Sequence, residues 1–148
     1  MISRRHMLLL GGAAALPWPG QAQDAPEAPR IALIMGNAAY PVGIGPLANP
    51  VNDARLVAKT LRELGFDVSE HHDLNQKELK RAVREFGRAL ERAGKESVGL
   101  IYYAGHGVQV KGSNYLLPVD ADIQHELDVD IEAVSAASIL QTLEYANN

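Results

Sequence analysis

One histidine stands between two glycines at the end of an apolar run: Val98-Gly99-Leu100-Ile101-Tyr102-Tyr103-Ala104-Gly105-His106-Gly107. The run reads as a buried strand, and open α/β sheets bind their ligands at the carboxyl ends of such strands. An imidazole near its unperturbed pKa accepts and returns a proton at neutral pH. Flanking glycines let substrate backbone approach and leave amide N–H groups free to face a developing oxyanion. This constellation suits a general acid–base residue. The chain has no cysteine among its 148 residues. The same three residues also fit a plainer reading, a turn histidine whose glycines serve backbone shape.

Other chemistry-bearing residues lead less far. His71, His72 and Asp73 invite a metal. Neighbours on a strand point to opposite faces, however, so a surface loop is the expectation and no metal is expected. Asp120, Asp122, Asp128 and Asp130 are too scattered for a calcium site. Gly43-Ile44-Gly45-Pro46 lacks the lysine and spacing of a phosphate loop. Tyr40, Tyr102 and Tyr103 read as packing residues. No cofactor is implied.

The surrounding pattern alternates strand and helix. Arg30–Gly36 is a short apolar run that suits a central parallel strand buried on both faces. Asn49-Pro50 reads as a cap with proline in the first turn, followed by Ala54, Val57, Leu61 and Leu64 at helical spacing up to Gly65. Phe66–Glu70 alternates like a strand near a sheet edge. Asn75 with Glu78 forms a cap-and-return pair opening a helix that ends at Gly94. That helix carries a basic outer face, including Lys77, Lys80, Arg81, Arg84 and Arg88. With no aromatic platform beside it, the face reads as solvated, and no nucleic-acid partner is expected. Val108–Val110 and Tyr115–Leu117 flank Lys111-Gly112-Ser113-Asn114 as a small hairpin, and a last helix is expected near Ser135–Tyr145. The fold class is therefore α/β, with an open, mainly parallel sheet and helices on both faces. An alternating fold should next add a strand, so the sheet is expected to be incomplete at the C-terminus.

The opening residues belong to a different class. Arg4-Arg5 precedes an apolar stretch from Met7 through Leu16, and Gly20-Gln21-Ala22 offers small residues for a signal peptidase. Residues 1–22 read as an export signal of the twin-arginine type, too short to span a bilayer. Residues 23–29 read as a linker and residues 30–148 as one partial α/β domain, the part to which the resemblance given below assigns catalysis. A periplasmic or secreted location follows, with no membrane anchor after signal removal. The 14 basic residues less Arg4 and Arg5 leave 12 against 18 acidic ones, which excludes a nucleic-acid footprint of charge.

Four segments taken in order resemble the large-subunit region of caspase-like peptidases. They are Ile34-Met35-Gly36-Asn37-Ala38-Ala39-Tyr40, Leu47–Ala54, Leu64-Gly65-Phe66 and Tyr102–Gly107. The resemblance is closest to bacterial members related to metacaspases and paracaspases, and it runs from Arg30 to Asn148. It implies a cysteine-type endopeptidase acting on protein or peptide substrates. In that family a cysteine thiolate attacks the peptide carbonyl. By resemblance His106 is the acid–base residue and Gly107 the backbone donor to the oxyanion. The family cysteine follows the histidine by about 50 residues, near position 156, so the chain is expected to stop before it and to be inactive alone. Asp53 matches the pocket aspartate that selects arginine or lysine, and as a first-turn acid it also suits a helix N-terminus. The alternative function is a non-catalytic interaction or regulatory module with the same fold. Should the paired arginines direct export, changing Arg4 and Arg5 to lysine will hold the precursor in the cytoplasm, as cell fractionation will show. Unchanged export would point to the general secretory route.

Overall fold

The structure is a computed structural model that describes residues 27–146, so the export-signal reading and most of the linker lie outside the described residues. Strand β1 (Arg30–Gly36) lies between β2 (Asp67–His72) and β3 (Val98–Ala104), parallel to both. Helix α1 (Pro50–Glu63) links β1 to β2, and α2 (Gln76–Ala93) links β2 to β3. Alternation along β1 then decides the two faces. Ala32 and Ile34 pack with Ala54, Ala58 and Leu61 of α1. Leu33 and Met35 pack with Leu79, Val83, Phe86 and Leu90 of α2 and with Ile139. An open parallel sheet with helices on both faces is thus present, and β1 is central as its composition requires.

The second half is a small antiparallel sheet ordered β4 (Gly107–Val110), β5 (Ser113–Leu116), β6 (Val134–Ser135). Its hairpin is tighter than the sequence suggests. Lys111 and Gly112 alone make the turn, both at positive φ (49° and 82°), while Ser113 and Asn114 are already paired. That is the two-residue connection whose twist matches the strands. Between β5 and β6 lie a single turn at Glu126–Asp128 and the one-turn helix α3 (Val129–Glu132), neither of which the periodicity signals. Helix α4 (Ala136–Tyr145) closes the described chain against α2.

Three local expectations need correction. His71 and His72 sit in β2 rather than in a loop, bonding to Ser69 and approaching Glu70. No group of three potential metal ligands gathers among the described residues. Strand β3 is half-buried, not fully buried, because β1 is its sole pairing partner among the described residues. No helix among the described residues is long and apolar enough to cross a membrane.

The third correction concerns the helix starts. Asn75 makes a full capping box with Glu78, at 2.9 and 3.1 Å. Asn49 makes no side-chain cap; only its carbonyl is used, accepting the Asp53 N–H. With Asn49 already in the helical region, its side chain cannot turn back to the first-turn amides. Replacing Asn75 by alanine should therefore cost about 1 kcal/mol, whereas Asn49→Ala should cost roughly nothing, as urea unfolding will measure.

Candidate functional site

The site is built where β1 and β3 end together, with Gly36 opposite Ala104. Strand ends expose backbone donors and acceptors that need partners, and the next residue supplies them. Asn37 is fully buried. Its N–H donates to the Ala104 carbonyl at 2.8 Å, continuing the ladder by one step. Its Oδ1 accepts the Leu74 N–H at 2.9 Å, and its Nδ2 faces the carbonyls of Leu74 and Leu117, both at 3.3 Å. One side chain thus joins the chain leaving β1, the chain leaving β2 and the residue after β5. Asp73 adds a second tie, one carboxylate oxygen accepting the N–H groups of Ala38 and Ala39 at 2.8 and 2.9 Å.

The loop held in this way delivers two groups to His106. The Tyr40 hydroxyl accepts the His106 N–H at 3.0 Å, and its ring meets the imidazole edge-on with centroids 4.7 Å apart. Five residues later the Gly45 carbonyl lies 2.8 Å from His106 Nε2. A carbonyl can only accept, so Nε2 carries the proton and Nδ1 is left as an acceptor. Gly45 sits at φ +99°, a conformation that favours glycine, and this aims its carbonyl back at the ring. Tyr103, at the end of β3, completes the cluster. Its hydroxyl lies 3.0 Å from the Tyr40 hydroxyl, 3.0 Å from the His106 carbonyl and 2.8 Å from that of Leu117.

Gly107 opens β4 on the exposed side of the hairpin. The Leu117 N–H donates to the His106 carbonyl at 3.0 Å, whereas the His106 N–H is taken by Tyr40. Gly107 is opposite Leu116, and among the described residues β4 pairs with β5 alone, which leaves its other edge unpaired. Asp53 lies in the first turn of α1, exposed and without an ion pair among the described residues. This turn packs at the same end of the sheet, since Pro50 and Ala54 crowd Gly36. No hydrogen bond or ion pair joins Asp53 to His106 or Gly107 among the described residues.

The sequence pattern singles out His106, Gly107 and Asp53 but misses the residues that fix them. Asn37 and Tyr40 lie inside a motif used for its overall likeness, and the two tyrosines read as packing alone. Gly45 is discarded there with the phosphate-loop reading. The one available signal is polarity in an otherwise apolar setting, since an Asn directly after a buried strand must find partners.

Residues 29–144 match the caspase domain family. The human mucosa-associated lymphoid tissue lymphoma translocation protein 1 is 38% identical over 102 residues, which are 68% of this chain and 12% of that protein. Its mouse homolog is 38% identical over 92 residues, 62% of this chain and 11% of that protein. The chain therefore spans a small part of the length of these curated relatives.

The tyrosine pair gives the site a pH limit. Burial is the main cause that raises both hydroxyls above the ordinary tyrosine value, and for Tyr103 the bond to Tyr40 raises it further. A raised folded-state pKa stabilises the fold below the unfolded value, about 10, and that stability is lost as pH climbs above it. Thermal melts should therefore fall steeply above about pH 10. Tyr103→Phe should flatten that fall, and an unchanged slope would show that the pair does not govern it.

Proposed function

The chain belongs to the caspase domain family, a family of peptidases, and from that premise we propose that it supplies the acid–base part of an exported cysteine endopeptidase. The observation that carries this reading is the His106 imidazole, bound through Nε2 to the Gly45 carbonyl with Nδ1 left to accept a proton. A base so oriented suits a thiol. The nucleophile in this proposal is a cysteine on a strand added along the open edge of β3. A parallel strand on that edge ends beside Ala104, two residues from His106.

The chemistry then runs in two halves. Nδ1 takes the thiol proton as the sulfur adds to the scissile carbonyl carbon, and the oxyanion accepts the Gly107 N–H. Collapse breaks the C–N bond, and the departing amine takes the proton from Nδ1. Water next attacks the thioester while His106 accepts its proton. Breaking the C–S bond releases the carboxylic acid and returns the proton to sulfur. No metal or cofactor enters these steps.

Asp53 supplies the specificity in this reading. An exposed carboxylate without an ion-pair partner can hold a substrate guanidinium through two charge-assisted hydrogen bonds, and it repels a substrate carboxylate. The substrates are then proteins or peptides cut after arginine or lysine. The arginine pair near the N-terminus supports action in the periplasm or outside the cell. The second reading is a caspase-domain module of the same fold that binds without cutting. The reading frame beyond the codon for Asn148 separates the two. An apolar strand ending in Asp-Ala-Cys or a close variant supports the peptidase, and a stop codon or a strand without cysteine refutes it. In the completed enzyme, Asp53→Asn should lower kcat/KM for arginine substrates about 10- to 100-fold relative to neutral ones. Preference for aspartate, or an unchanged arginine preference in the variant, would remove Asp53 from the pocket.

A further inference from the structure

We propose that Tyr40 is a positioning residue for His106, fixing the tautomer of its imidazole through a clamp formed by the tyrosine and the loop that follows it. The proposal rests on reading His106 as the acid–base residue. Its geometry can be measured without any proteolysis.

The clamp has two jaws on one short segment. The Tyr40 hydroxyl accepts the His106 backbone N–H, which fixes where the side chain starts. The Tyr40 ring, inclined 66° to the imidazole, blocks one direction of ring rotation. The chain then turns on the Pro41 carbonyl, which accepts N–H groups from Ile44 and Gly45 at 3.0 and 2.9 Å. That turn places the Gly45 carbonyl on Nε2. Backbone anchor, ring wall and proton acceptor therefore belong to six consecutive residues, Tyr40 to Gly45.

Tyr40 is itself held on the far side. Its hydroxyl lies 2.9 Å from the Leu117 carbonyl and 3.0 Å from the Tyr103 hydroxyl. With one proton on each tyrosine, the pair can donate to the Leu117 carbonyl and to one another while still accepting the His106 N–H, so no polar group is orphaned. The space for this pair comes from Gly105. A Cβ there would stand 2.6 Å from both hydroxyl oxygens. The glycine before the histidine therefore accommodates the clamp. Removing the Tyr40 hydroxyl leaves the His106 N–H without its acceptor and loosens the loop that presents Gly45. The bias toward Nε2–H then weakens, since free neutral imidazole uses either nitrogen.

The full chain with ¹⁵N-labelled histidine tests this by NMR, where the two neutral tautomers of the imidazole give distinct ring-nitrogen signals. The wild-type His106 should show a single Nε2–H tautomer. In Tyr40→Phe, which keeps the ring, the Nδ1–H form should rise to about a fifth or more of the population. Tyr102→Phe, on the opposite face of β3, should leave the spectrum unchanged. A Tyr40→Phe protein that melts lower yet keeps the pure Nε2–H tautomer would overturn the proposal, because that is a merely structural role. Should Tyr40→Phe fail to fold, Tyr103→Phe is read in the same way: a mixed tautomer supports the clamp and a pure one refutes it. An inactive completed enzyme whose His106 tautomer still responds to Tyr40→Phe would refute the peptidase reading and support the clamp.

Discussion

A single buried amide decides how the functional end of this molecule is assembled. Asn37 follows the most buried strand and bonds to backbone groups at Ala104, Leu74 and Leu117. These residues leave three different strands, so nothing in local sequence brings them together. Leaving such an amide unpaired in the interior costs about 1–3 kcal/mol for each lost partner. The arrangement that satisfies it is consequently favoured over the many loop conformations that do not. The apolar faces of β1 bring the elements into contact, since burial is non-directional. The directional bonds of Asn37 select one register among their ends.

From that anchor the geometry around His106 follows by short steps. The loop leaving Asn37 is pinned by the Asp73 carboxylate before it reaches Tyr40. Tyr40 and Tyr103 then share their hydroxyls with the Leu117 carbonyl, the group that Asn37 also faces. Asn37, Tyr40, Tyr103 and His106 thus form one connected polar cluster in an apolar surrounding. Burial keeps both phenols protonated across the neutral range. They remain able both to donate and to accept, as a fixed scaffold around the His106 imidazole requires.

The legible part of this structure is the part governed by periodicity. Apolar runs and helical spacing give β1, α1, β2, α2 and β3 with boundaries close to those observed, because each is long enough to repeat its pattern. Asn75 and Glu78 are legible as a cap because a capping box is local. Asn49 looks the same in sequence and behaves differently, because its backbone has already entered the helical region. The tight Lys111-Gly112 turn is hidden because it asks a lysine to take a positive φ. Strand β6 has two residues, too few to show any period. At the site, His106 and Gly107 stand out by residue type and position. Tyr40, Gly45 and Asn37 do not, since their roles depend on partners 37 to 80 residues away along the chain.

The edge of β3 that is unpaired among the described residues links fold and proposed chemistry in a last way. Strand β3 pairs on one side with β1 and carries Ile101 facing a shallow cleft of about 270 Å³ that Leu116, Ala136, Ile139, Leu140 and Leu143 also line. Leu140 is 59% exposed there. A strand laid along that edge would pair the free backbone groups of β3 and cover the apolar cleft in one step. On the proposed reading, that same strand carries the thiol. The contacts that complete the sheet would then be the contacts that bring nucleophile to base. Its reactive sulfur would be exposed to His106 only when the sheet is fully paired, so assembly of the core and assembly of the catalytic pair become a single event. The clamp on His106 can form beforehand, because every group in it already belongs to the described residues. On the proposed reading the base would then be oriented before the nucleophile reaches it. Preorganisation of this kind removes reorientation of the imidazole from the chemical step.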